Sequence, residues 1–180
     1  MKYFFSSLAL LLISTLAFSQ KPGEPFPGYS VSNEGDTIRG GVVALKRNGN
    51  IRPSFQMKFE DESTKAISPK KFKYVLAGEM EFESYEIPGN ADGDFAFFYK
   101  KSSGAVSLYE YQYEVYELNK TVWKSEFYVK NGNDLERLTK SNYTKRLPTI
   151  FASKPEIVAK VKETKFEDIY KLFDEFNDFE

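Results

Sequence analysis

From Tyr109 to Glu114 the chain reads Tyr109-Glu110-Tyr111-Gln112-Tyr113-Glu114, with tyrosine and polar residues in strict alternation. A repeat of two is the pleat of a β-strand; on a helix these rings would scatter around the axis. The strand pattern runs from Ala105 to Leu118, and Phe95 to Lys101 before it forms a hairpin with it around Ser102-Ser103-Gly104. Tyr109, Tyr111 and Tyr113 therefore share one face. They are the candidate ligand-binding residues, because a row of phenol rings can stack on sugars or bases. The competing reading buries the three rings and leaves Glu110, Gln112 and Glu114 outside, and the enrichment of aromatics in strands for packing reasons favours it.

Working outward, the same signature recurs. Gly28 to Ser32 and Thr37 to Leu45 flank Asn33-Glu34-Gly35-Asp36, a hairpin turn in which Gly35 supplies the positive φ. Ile51 to Phe59 alternates, with Phe55, Met57 and Phe59 on one face, and Pro53 marks an edge strand or a late start. Ser68-Pro69-Lys70-Lys71 is a helical or turn-like break. Lys73 to Ala77, Glu79 to Ile87, Thr121 to Lys130 and Leu135 to Lys140 are further strands. From Asn142 the spacing becomes helical. Pro148 must kink or restart the first helix, and Ser153-Lys154-Pro155-Glu156 and Thr164-Lys165-Phe166-Glu167 read as capping boxes. After the second, Phe166, Ile169, Tyr170, Phe173 and Phe176 form one apolar stripe that must find a sheet to cover it. The expectation is one α+β domain over 28–180: an antiparallel, strongly curved sheet or partial barrel of seven to nine strands, with two or three C-terminal helices from about 142. A closed barrel around a small apolar ligand is the alternative.

Composition removes much chemistry. The 180 residues contain no Cys and no His. Ser-His-Asp and Cys-His nucleophiles, the usual zinc sites and imidazole proton transfer near neutral pH are therefore excluded. No cofactor or metal is implied. Glu79, Glu81 and Glu83 line one strand face and could serve a glycan hydrolase or a calcium ion; such a row is more commonly the wet side of a sheet, with lysines opposite. Asn90-Ala91-Asp92-Gly93-Asp94 fails as a calcium loop, since Phe95 and Lys101 stand where an EF-hand needs Gly and Glu. No phosphate-cradling Gly-rich loop is present.

The first nineteen residues read as a secretory signal peptide. Lys2 gives a basic start, Leu8 to Ile13 an apolar centre, and Ala17-Phe18-Ser19 a small-residue cleavage pattern before Gln20. A retained anchor is the alternative, but the apolar run falls short of the roughly 20 residues a span requires. Lys21 to Pro27 carries three prolines and reads as a tether over 20–27. Of the 25 Lys and Arg only Lys2 lies in the leader, so the mature chain carries 24 basic and 26 acidic side chains, a net charge of −2. Nothing in that balance marks a nucleic-acid partner.

Gly28-Tyr29-Ser30-Val31-Ser32-Asn33-Glu34-Gly35-Asp36-Thr37-Ile38-Arg39-Gly40, following directly on Ser19-Gln20 and the tether, resembles the opening of a group of uncharacterised secreted proteins of Bacteroidetes. Weaker likenesses lie at Ser68-Pro69, Leu108-Tyr109 and Phe176-Asn177. The resemblance implies export and this kind of fold, and carries no activity with it. The functional expectation is a non-enzymatic periplasmic or cell-surface protein that binds an envelope protein or a small ligand. The alternatives are a carboxylate-dependent glycan hydrolase and an envelope-assembly component that uses an open sheet edge.

Overall fold

A computed structural model describes residues 25–45, 54–132 and 134–178; the leader, Lys21 to Glu24 of the tether, Ile51 to Pro53 and Glu180 lie outside the described residues. Ten strands form one antiparallel sheet: β1 Phe26–Ser32, β2 Thr37–Leu45, β3 Ser54–Lys58, β4 Thr64–Ile67, β5 Phe72–Ala77, β6 Met80–Glu86, β7 Phe95–Ser102, β8 Ser107–Glu117, β9 Lys120–Asn131 and β10 Asp134–Leu138. Their order is β10-β9-β8-β7-β6-β5-β1-β2-β3-β4. Two meanders, β1 to β4 and β5 to β10, are thus joined along the β1–β5 ladder, and the sheet is not closed.

Several expectations change. The strand count exceeds seven to nine because Thr64–Ile67 pairs with β3, although its short Thr-Lys-Ala-Ile sequence buries only Ile67. That pairing puts β3 inside the sheet; the edge is β4. Phe26 and Pro27, read as the end of the tether, already pair with Val42 and Gly41 in β1. The hairpin at Gly35 forms as expected, with φ of 100°.

Three helices follow the strands: α1 Tyr143–Ile150, α2 Pro155–Lys160 and α3 Tyr170–Asn177, the last preceded by a single 3-10 turn at Phe166–Asp168. Pro148 does not break α1, which continues to Ile150. It sits in the last turn of a short helix, where few hydrogen bonds remain to be lost. Neither capping box forms: Lys154 is the N-cap of α2, and no side-chain oxygen caps any of the helices. Thr164 instead donates its hydroxyl back to the Lys160 carbonyl at 2.9 Å. Packing holds the tail. Ile157, Val161, Ile169 and Phe173 are fully buried against Leu108, Val129 and Leu138, and the Phe151 ring lies 5.0 Å from Phe173 and 4.8 Å from Phe176. Each such side chain contributes about 1.5–3 kcal/mol on burial, so together they far outweigh what missing caps cost. No helix among the described residues is long and apolar enough to cross a membrane.

The strand registers assign Leu108, Val129 and Leu138 to the same side of the sheet as Val42, Phe55, Met57, Val75 and Phe97. On this side Phe55 of β3 meets Phe82 of β6 at 4.7 Å and Phe97 of β7 at 5.2 Å between ring centroids, although β2, β1 and β5 intervene in the strand order. The opposite side carries a second buried cluster of Ala96, Phe98, Tyr109, Tyr111 and Tyr128.

Candidate functional site

The tyrosines of the alternating strand lie on the side of the sheet away from the helices. Tyr109 and Tyr111 are buried and Tyr113 is half-buried, stacked on Tyr111 at 5.3 Å. They are covered by their own cross-strand neighbours: Tyr85 packs edge-on against Tyr109, and the Phe98 ring lies 5.2 Å from Tyr111. The three rings therefore do not line an open platform. Glu110 points the other way, toward the helical side, where Lys101 pairs with it at 3.6 Å.

What distinguishes this face is how it satisfies its phenols. A buried ring that carries a hydroxyl needs an acceptor, and two carboxylates supply it. Glu83 accepts from Tyr85 and, at 2.9 Å, from Tyr109, and pairs with Lys100 at 2.7 Å. Glu126 accepts from Tyr113 and Tyr128, each at 2.8 Å, and pairs with Arg137 at 2.6 Å. Lys130 reaches the Tyr85 hydroxyl at 2.7 Å, and Lys100 also touches Glu81 at 3.4 Å. The expected row of β6 carboxylates is thus present, with lysines opposite and Glu79 displaced into the β5–β6 turn.

The charge states follow from these contacts. Burial pushes the Glu83 carboxyl up, but the Lys100 ammonium and the two phenol donors outweigh it and hold it below the ordinary carboxylate range. Burial lowers Lys100, and Glu83 more than restores it, leaving it raised. Burial pushes Tyr109 up to about 12, with the Glu83 charge adding to the effect. Tyr85 and Tyr128 rise further, through burial and then through the carboxylates they bond. An acid–base catalyst works best with a group titrating near the working pH. Here each shift drives its group away from neutrality. Glu83 in particular is the reverse of the protonated acid a glycosidase requires.

Two hollows adjoin this face. One of about 360 Å³ lies beside Lys73, Tyr74, Glu83 and Tyr85. The larger, about 780 Å³, lies where β1 meets the β5–β6 turn, walled by Phe26, Tyr29, Leu76 and Met80 with Arg39 and Glu79 at its rim. The Arg39 guanidinium sits over the Tyr29 ring, 5.3 Å from its centroid. No group of three or more acidic residues that could hold a metal occurs among the described residues. Asn90 to Asp94 is a polar turn closed internally, Asp92 N–H donating to Asn90 Oδ1 at 3.0 Å.

The two strands of the β8–β9 hairpin were legible in the sequence; their pairing and their projection were not. The ladder between β7 and β8 ends at Glu110, and that between β9 and β10 ends at Phe127. Between the pairs Tyr111–Glu126 and Glu117–Lys120 the two strands are therefore, among the described residues, paired only with each other. At about 3.4 Å per residue this arm extends roughly 20 Å. Its turn places Leu118 and Asn119 at φ of 47° and 63°, both positive, as the twist of a tight two-residue hairpin demands. Leu118 is 97% exposed, Tyr116 73%, Trp123 48% and Val122 38%. Trp123 shares the face of Phe127 and Val129, as the alternation predicts, but it lies beyond the part of the sheet the helices cover.

Compared with known protein families, with curated proteins and with solved structures, the chain matches none.

Proposed function

We propose that the protein is an exported, non-enzymatic interaction protein that meets its partner through the β8–β9 arm. The observation that carries this reading is the exposure of Tyr116, Leu118, Val122 and Trp123 at the free end of a hairpin. Large apolar side chains grouped on a surface mark contact sites, and tryptophan and tyrosine are the side chains that most often dominate contact energies. The leader over 1–19 and the hairpin motif from Gly28 to Gly40 support export and membership of the secreted Bacteroidetes group.

The sheet behind the arm is a strongly curved partial barrel in this reading. Support comes from Phe55 and Phe97, whose rings touch across five strand intervals that would span about 24 Å in a flat sheet. A second reading, an assembly component that accepts a strand from another chain, is favoured by the two open edges of the arm.

A photo-reactive residue at position 118, compared with one at position 92 in the Asn90–Asp94 loop, tests the proposal in the producing cells. Adducts are expected at 118 and to be lost on Trp123→Ala. Equal labelling at both positions, or none at 118, would end the reading.

A further inference from the structure

We infer that the hollow where β1 meets the β5–β6 turn binds a small amphipathic monocarboxylate, its head on Arg39 and its hydrocarbon body on Tyr29, Leu76 and Met80. β7, β6 and β5 separate β1 from β8 in the strand order, and the site does not depend on the role of the arm. Strand register builds it. Arg39 of β2 pairs with Tyr29 of β1, and Tyr29 with Leu76 of β5, so the three side chains stand in one row on the face away from the helices. Two strand intervals separate the ends of that row, about 10 Å. Phe26 and Met80 pack against the buried cluster of Val42 and Met57, which gives the hollow fixed apolar walls. Its volume of about 780 Å³ is that of a site for a small organic molecule.

The head group follows from Arg39. Its guanidinium lies over the Tyr29 ring and makes no ion pair among the described residues, so a positioned planar fork of donors is open to a carboxylate. The neighbouring acids do not take it. Glu81, which continues the row beyond Leu76, is held by Lys100 at 3.4 Å. Glu60 after β3 and Glu79 in the β5–β6 turn form no ion pair with Arg39 among the described residues. Glu79 follows Leu76 by three residues, at the end of the row away from the head. One guanidinium, with that carboxylate also at the rim, matches a single negative charge and opposes a phosphate dianion. The apolar body then crosses the Tyr29 ring toward Leu76 and Met80, where burial of its surface supplies the affinity.

Beyond Met1 the chain holds two methionines, Met80 in the hollow and Met57, which is fully buried in the core. The protein as released by producing cells fed methyl-13C methionine is titrated with decanoate and, in parallel, with decanol, and the two methyl resonances are followed. Decanoate is expected to move the Met80 signal and leave Met57 in place, with decanol binding more weakly. Arg39→Gln should weaken decanoate about threefold to tenfold and leave decanol unchanged. Arg39→Lys, which keeps the charge without the fork, should fall between, and Leu76→Glu should abolish the shift. An unmoved Met80 signal, equal movement of Met57, equal affinity for decanol, or undiminished binding by Arg39→Gln overturns the inference.

Discussion

The Tyr109 hydroxyl, on a ring that is 1% exposed, donates to the Glu83 carboxylate two strands away at 2.9 Å. The same carboxylate carries Tyr85 and Lys100, so one side chain on β6 fixes groups from β7 and β8. Removing it takes away the carboxylate that both phenols donate to and leaves Lys100 only its longer contact with Glu81 at 3.4 Å. Glu83→Ala should cost about 3 kcal/mol, in the range for breaking a partly buried, hydrogen-bonded charge, whereas Glu81→Ala, whose side chain is 44% exposed, should cost under about 1 kcal/mol. Urea denaturation of the two variants checks the contrast; equal losses would deny Glu83 its central place.

Stability should fall at both ends of the pH scale. Glu83 sits below its ordinary value of 4.5 when folded, so its contribution is complete above that value and disappears as pH drops through the folded one. Tyr109 is raised from 10.0 to about 12; its contribution is complete below 10 and disappears as pH climbs toward 12. Denaturation midpoints measured across pH should therefore form a plateau with two shoulders. Glu83→Gln should flatten the acidic one, and an unchanged acidic limb in that variant would contradict the assignment.

Ser30 offers a gain. Its side chain is fully buried in β1, and its hydroxyl finds no partner among the described residues. A buried hydroxyl without a partner costs about 1–3 kcal/mol. Ser30→Ala should therefore stabilise the protein by about 1 kcal/mol, read as a higher denaturation midpoint at constant slope. A loss of stability would mean the hydroxyl is bonded after all.

Gly28 tolerates nothing larger. A Cβ there would lie 1.9 Å from the Leu76 carbonyl oxygen and 3.1 Å from Val42, because β1 and β5 approach closely at the junction of the two meanders. The nearest obstacle is backbone and cannot swing aside. Gly28→Ala should cost about 3 kcal/mol or prevent folding, while Ala at Gly132, where nothing lies within 4 Å and φ is 64°, should cost about 1 kcal/mol from backbone strain alone. Thermal melts of the two variants separate close approach from conformational strain.

The proposed curvature of the sheet has its own test. Phe55 and Phe97 belong to different meanders, and their contact at 5.2 Å exists only if the sheet folds over on itself. A double-mutant cycle with leucine at each position should give a coupling of about 0.5–1.5 kcal/mol. Additive losses would count against the curved partial barrel.

The strands with clear alternation were legible one by one: Phe55 and Met57, Tyr109 to Tyr113, and Phe127 with Val129 all announce their faces because side chains alternate every two residues whatever lies around them. The helical stripe ending in Phe173 and Phe176 was equally plain. β4 was not, since four residues with one buried apolar side chain carry too little pattern. The capping boxes misled because local hydrogen bonding is worth less than the burial that positions the tail.

Alternation in a sequence states which residues share a face, and that much was determined by the chain itself, together with the turns and the absence of histidine and cysteine. What covers each face, and where that cover ends, depends on strand order and on ladders of unequal length. That is why tertiary structure alone turned Tyr109 and Tyr111 inward among their own neighbours, gathered Glu83 with Lys100, and left Trp123 beyond the reach of the helices that bury Val129 six residues later.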